Sequence, residues 1–240
     1  MGVIKYQKKL DMLFEERPEG IRRTEMLPGV VEGVHTYKCT VKAGSEIHLE
    51  TFSDQTQMLY FTKGIGFIVT KKRAFNINEP SLFVPDLGDC KNVLYAVTDM
   101  EWLQLTCVML DEDKKHWNQW HIALPRFCPI SKCIEYVEGF RPEEIHSYSI
   151  VDTGFVTRMT MGAIIGRGPN KAAPHSHDNL YQWYYGMSGT KFTYKAGDEE
   201  IILTEGDWAF IPTNIEHSIE IEDGEQVNYV WFEIEVPKEA

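Results

Sequence analysis

An imperfect internal repeat limits what this chain can fold into. The segment QMLYFTKGIGF at 57–67 lines up with QWYYGMSGTKF at 182–192, and Gln, Tyr, Gly and Phe agree at matching positions. Further on, SLFVPDLGDC at 81–90 lines up with WAFIPTNIEH at 208–217, with Pro85 opposite Pro212. The offset is 125 residues at the first segment and 127 at the second, so the second copy carries a longer hairpin between them. So long a period describes two similar domains in tandem, not a stack of short repeats. A chain of 240 residues has room for two domains of ordinary size.

The repeated unit reads as β structure. Short runs rich in β-branched and aromatic residues lie at 34–41, 58–62, 66–70, 81–84 and 102–110. Turn residues punctuate them at 43–44, 63–64, 76–80 and 86–89. Many short strands at close spacing describe a sandwich or barrel. Residues 3–17 form a short helix or an arm ending near Pro18, and the charged segment DEDKKHWNQWH at 111–121 forms an exposed or helical connection.

The second copy carries chemistry that the first lacks. In PHSHDNLYQWYYGMSG at 174–189, His175 and His177 are separated by one residue. Alternate residues of an extended strand share a face, so both imidazoles aim at one point. His217 follows in GDWAFIPTNIEHS at 206–218. An H-x-H pair alone is more often a surface or packing pair. Three histidines and an amide oxygen from Gln182, drawn together inside a barrel, would make a mononuclear metal site.

These residues resemble the two motifs of the cupin family. The spacing G-x6-H-x-H-x4-Q-x6-G from Gly168 to Gly189 is similar to the first motif, and Gly206, Pro212 and His217 meet the second. The resemblance implies an all-β chain of two tandem jelly-roll β-barrels with few short helices. The domains are expected at 1–126, degenerate and metal-free, and at 127–240, with the metal site. It implies one divalent transition metal ion (Mn, Fe, Zn, Ni or Co) on His175, His177, Gln182 and His217. Gln182 stands where many cupins have glutamate. In the first copy Glu50, Phe52 and Cys90 fall opposite the three histidines and Gln57 opposite Gln182. A Phe ring cannot ligate and fills the space an ion needs.

Three further residues are candidates for catalysis. On the expected strand 155–165, Arg158 shares a face with Thr160 and Gly162. Tyr184 shares the face of Gln182. Glu233 alternates with Tyr229 and Trp231 on the last strand. Each has an ordinary alternative: solvent for Arg158, packing for Tyr184 and the outer face for Glu233. Neutral ligands leave the ion's charge uncompensated, which favours an anionic substrate and polarises carbonyls. The expected function is a metal-dependent isomerase, lyase or hydrolase acting without redox change on a small keto acid or sugar acid. A non-haem iron dioxygenase and a non-catalytic small-molecule-binding cupin are the alternatives. The ureidoglycine aminohydrolase bicupins share the plan of an empty first barrel, but their ligand glutamate two residues before a histidine is Ala173 here.

Charge and composition narrow the partners. A net charge of −12 argues against a nucleic-acid backbone as partner. No run of eighteen apolar residues is present, so no membrane helix is expected, and the N-terminus lacks an apolar signal core. The five scattered cysteines read as reduced thiols of a cytoplasmic protein. Cys128 and Cys133 have C-x4-C spacing without a second pair, which does not make a zinc knuckle. A small-molecule substrate and a homo-oligomer, a homodimer in the simplest case, complete the expectations.

Overall fold

A computed structural model of the chain describes residues 2–88, 91–120 and 124–236. Its residues fall into two units, one of residues 12–133 and the other of residues 1–11 with 134–240. The expected boundary at 126/127 is therefore corrected in two ways. The break comes after Cys133, and the first eleven residues belong to the C-terminal unit.

The strands run in chain order from β1 (Lys5–Gln7) and β2 (Glu15–Glu16) to β3 (Arg22–Glu25), β4 (Val34–Val41) and β5 (Glu46–His48). Next come β6 (Gln55–Lys63), β7 (Gly66–Val69), β8 (Ala74–Ile77), β9 (Ser81–Val84), β10 (Val93–Ala96) and β11 (Met100–Val108). Helix α1 (Asp111–Trp120) and β12 (Arg126–Pro129) close the first unit. The second contains β13 (Ile134–Tyr136), β14 (Ile145–Val156), β15 (Met159–Arg167), β16 (Asn170–Lys171) and β17 (Leu180–Gly186). It ends with β18 (Lys191–Ala196), β19 (Glu199–Thr204), β20 (Trp208–Ile211), β21 (His217–Ile221) and β22 (Gln226–Glu235).

Each unit pairs a seven-stranded sheet with a four-stranded one. The first unit has the orders β12-β9-β6-β11-β4-β3-β2 and β5-β10-β7-β8. The second has β1-β20-β17-β22-β15-β14-β13 and β16-β21-β18-β19. The two lists match strand for strand, and every described pairing is antiparallel. This is the all-β jelly-roll architecture of cupins. The one irregularity explains the domain correction. The edge place held by β12 in the first unit is held by β1 in the second, where Tyr6 pairs with Ala209. The arm is pinned there: the Val3 and Ile4 N–H groups donate to Glu199 at 2.7 and 3.0 Å, and the Tyr6 hydroxyl donates to Asp207 Oδ2 at 2.7 Å. An arm is thus what residues 3–11 form, and α1 makes the connection at 111–120 helical; His121 lies outside the described residues.

Alternation puts the core between the sheets. Along β18, KFTYKA buries Phe192, Tyr194 and Ala196 and turns the lysines outward. These join Tyr184, Ile211, Ile219, Ile221 and Tyr229 in the core of the C-terminal unit. The matching core of the N-terminal unit gathers Ile47, Leu49, Leu59, Ile68, Phe83, Leu94 and Trp102. Burying an aliphatic or aromatic side chain of this kind stabilises by about 1.5–3 kcal/mol.

Two glycines are required by geometry. Gly206, at φ +84°, turns the chain from β19 into β20, a conformation that L side chains rarely adopt. At Gly162 on β15 a Cβ would collide with the Trp231 indole, so only glycine lets that ring lie against the strand.

Candidate metal centre

One ring nitrogen from each of His175, His177 and His217 lies within 4.8 Å of the other two. Backbone pairing sets this distance. The His175 N–H donates to the His217 carbonyl at 3.1 Å and the His217 N–H returns the bond at 2.9 Å, so the two rings leave adjacent chains side by side. The Asn214 N–H donates to the His177 carbonyl at 3.0 Å and anchors the third. Ring centroids are 4.2 Å apart for His175 and His217, 5.3 Å for His175 and His177, and 5.5 Å for His177 and His217.

The hydrogen bonds also decide which nitrogens face inward. His175 Nδ1 is 3.1 Å from the Ala173 carbonyl and His217 Nδ1 is 3.0 Å from the Ile215 carbonyl. A carbonyl only accepts, so both Nδ1 atoms carry the proton and both Nε2 atoms keep their lone pairs. Outer partners of this kind orient histidine ligands in metal sites. Burial then favours the neutral rings. It pulls His175 and His177 below their ordinary pKa, with His175 adding to the effect on His177. His217, the most buried, is brought down to about 3 by burial, with the neighbouring His175, His177 and Arg141 contributing. Neutral imidazole is the form that binds metal.

Gln182 is 4 % exposed and lines the same cavity, which holds about 130 Å³. Its strand β17 pairs with β22, placing it directly opposite Glu233. The Gln182 Nε2 donates to Glu233 Oε1 at 2.7 Å. That leaves the amide Oε1 as its only lone-pair donor. Burial raises the Glu233 pKa, while the hydrogen bonds from Gln182 and Thr160 act against it.

Tyr184 and Glu233 both line the cavity, and Arg158 does not. The expected strand 155–165 is in fact a hairpin. β14 ends at Val156, Thr157 takes φ +54°, and β15 begins at Met159. The turn swings Arg158 off the inward face, and its Nη1 donates to the Glu235 carbonyl at 3.3 Å. Thr160 keeps the inward side and donates to Glu233 Oε2 at 3.4 Å.

A different arginine occupies the cavity. Arg141 has a side chain 9 % exposed, and its Nε lies 2.8 Å from Glu138 Oε2 in an ion pair whose N–H is not aimed along the contact. Its guanidinium sits over the Phe140 ring at 5.1 Å, and Phe140 stacks on His175 at a centroid distance of 3.8 Å. The sequence carries a signal for it. RPEGIRR at 17–23 matches RPEEIHS at 141–147 at Arg, Pro, Glu and Ile, and Arg17 lines the corresponding hollow of the N-terminal unit. Tyr194, Tyr229 and Trp231 complete the wall. The hydroxyls of Tyr184 and Tyr194 are buried and interact electrostatically, but neither has hydrogen-bond geometry to a partner among the described residues. Burial first, then neighbouring tyrosines, holds Tyr184 protonated. Buried hydroxyls without partners are uncommon, and here they mark a polar wall built for something the protein itself does not supply.

The donor set fits a divalent ion: three neutral imidazoles with free Nε2 or equivalent lone pairs and an amide oxygen beside them. Comparison with known proteins agrees on the fold. Residues 163–233 match the model of the cupin domain. The whole chain superposes on a putative glyoxylate-induced protein of Pseudomonas aeruginosa with a TM-score of 0.82 and 10% identity, covering 100% of this chain and 92% of that one. It is similar also to a Lactobacillus farciminis oxalate decarboxylase in complex with formate (TM-score 0.73, 11% identity, 97% and 86% covered). It is similar as well to a Bacillus subtilis oxalate decarboxylase with Mn(II) centers (TM-score 0.72, 14% identity, 98% and 78% covered). Among curated proteins none matches the chain by sequence. Residues 163–233 thus match the cupin domain, and the chain as a whole has an all-β jelly-roll fold of the cupin type.

Proposed function

We propose that the protein is a two-barrel cupin enzyme that holds one divalent transition metal ion on His175, His177, Gln182 and His217. On this reading it acts without redox change on a small oxygenated anion, a keto acid or sugar acid. The observation that carries the reading is the convergence of four neutral candidate ligands on a cavity that also holds a buried arginine, Arg141, ion-paired with Glu138, and the Glu233 carboxyl. A bound divalent ion would supply Lewis acidity to a substrate carbonyl or hydroxyl. Arg141 would pair with the substrate carboxylate, in competition with Glu138. Glu233, whose pKa burial raises, is suited to take up or release a proton at the oxygen not engaged by Gln182. Tyr184 would donate a hydrogen bond through its unpartnered hydroxyl. The aromatic walls from Tyr194, Tyr229 and Trp231 exclude water and strengthen each of these interactions.

The test begins with elemental analysis of the purified protein. Turnover of a panel of keto acids and uronates then follows, with and without oxygen. One equivalent of metal per chain and oxygen-independent turnover are expected. Substrate-dependent consumption of oxygen would replace this reading with a dioxygenase, and binding without turnover would replace it with a sensor. Arg141→Gln should raise KM for the anion at least about tenfold, the loss of a charge-assisted hydrogen bond of roughly 1.5–3 kcal/mol.

A further inference from the structure

We infer that Cys128 and Cys133 form a reversible thiol–disulfide pair, oxidised by hydrogen peroxide or another small hydroperoxide. The two Sγ atoms lie 3.6 Å apart, in contact but not bonded. A disulfide needs about 2.0 Å, so the two sulfurs must draw together to bond. The folded chain builds this proximity. Cys128 is on the edge strand β12, opposite Leu82, and Cys133 follows the single turn Ile130–Lys132. The Cys133 N–H donates to the Ile130 carbonyl at 3.1 Å and closes the turn. Its other side is tied down: the Ile130 N–H donates to the Pro80 carbonyl at 2.9 Å, and the Ser131 N–H and hydroxyl donate to Glu79 at 3.0 and 2.7 Å.

The pair is also distinguished by access and charge. Both thiols are half-buried, whereas Cys39 and Cys107 are buried. The hydrogen bond from Cys133 pulls the Cys128 thiol down to about 6, against the effect of burial, and the Arg126 charge adds to it. The same contact raises Cys133. Cys128 is therefore the thiolate and the nucleophile, and Cys133 is the resolving thiol.

The chemistry closes in two steps. The Cys128 sulfur attacks one peroxide oxygen: an S–O bond forms, the O–O bond breaks, and hydroxide leaves, giving a sulfenic acid. The Cys133 sulfur then attacks the Cys128 sulfur: an S–S bond forms, the S–O bond breaks, and water leaves with the Cys133 proton. Two thiols and one peroxide become a disulfide and two waters, and an external dithiol reverses the change.

The full-length protein can be titrated with hydrogen peroxide, quenched with an alkylating reagent and digested with trypsin without reduction. Cleavage after Arg126 and Lys132 places the two cysteines on separate peptides, so their disulfide appears as a cross-linked pair. The cross-link is expected as the first oxidation product, with Cys39 and Cys107 still alkylated, and dithiothreitol should remove it. In Cys133→Ser, dimedone should label Cys128; in Cys128→Ser, Cys133 should stay unlabelled at the same dose. The inference is overturned if peroxide takes Cys128 to sulfinic acid without a cross-link, if Cys39 or Cys107 oxidises first, or if the disulfide forms between chains.

Discussion

The two units share a strand plan and differ in what they place inside it. Gln57 and Gln182 occupy the same position on matching central strands, β6 and β17. In the C-terminal unit the strand opposite presents Glu233, which accepts from Gln182. In the N-terminal unit it presents Thr106, and both polar atoms of the Gln57 amide are buried without a partner among the described residues. Tyr184 and Tyr229 around the cavity correspond to Leu59 and Trp102 in the apolar core of the first unit. Even the paired arginines diverge. Arg141 is buried beside the histidines, whereas Arg17 is 45 % exposed and paired with Glu15 at 3.1 Å. The lesson is that the jelly roll depends on alternation and apolar volume, which both copies satisfy, while chemistry depends on a few inward positions that either copy can lose without unfolding.

That contrast can be broken most forcefully at the histidines. His217→Ala should reduce metal affinity by at least about 100-fold, the upper range for losing even an outer-shell partner. Glu50→Ala, at the position matching His175, should leave metal content unchanged. Elemental analysis of the two variants decides the matter, and an ion lost equally from both would end the assignment to one unit.

Acid should separate the units next. Without metal, His217 keeps its neutral form down to about 3, while an unfolded histidine accepts a proton at 6.5. Between those values the unfolded chain binds a proton that the folded chain refuses, so stability falls as pH drops from 6.5 toward 3. His175 and His177, also lowered, act in the same direction. Thermal melts of metal-free protein across this range should lose Tm progressively, and His217→Asn should flatten the dependence. An unchanged slope in that variant would place the acid sensitivity elsewhere.

The smallest effect sharpens the comparison by sign. Gln57→Leu removes a buried amide with no partner and should leave the fold unchanged or stabilise it by about 1 kcal/mol. Gln182→Leu removes the shorter of the two hydrogen bonds to the buried Glu233 carboxyl, leaving Oε1 unpaired, and should destabilise by roughly 1–3 kcal/mol. Denaturant melts that gave both variants the same sign would show that the two amides are equivalent after all.

Much of this was legible in the chain itself. Period-2 alternation and turn residues announced the β class, and strands β4 and β9 run over the residues the pattern marks. The H-x-H spacing and the distant His217 named three residues whose rings do meet. These signals survive because they are local or rest on motif spacing. Alternation puts Arg158 on the wrong face because a single residue at positive φ, Thr157, ends one strand before another starts, and alternation carries no information across such a turn. Arg141 went unmarked although its repeat was present, because no periodicity says that a turn residue will fold back over a histidine. The N-terminal arm joined the far unit because β20 offers an open edge some two hundred residues later in the chain, a pairing that no window of sequence contains. Local chemistry chose the elements and the candidate ligands. Non-local strand pairing chose which side chains share the cavity, because only the closed sheet fixes the register that brings Gln182 to Glu233 and His175 to His217.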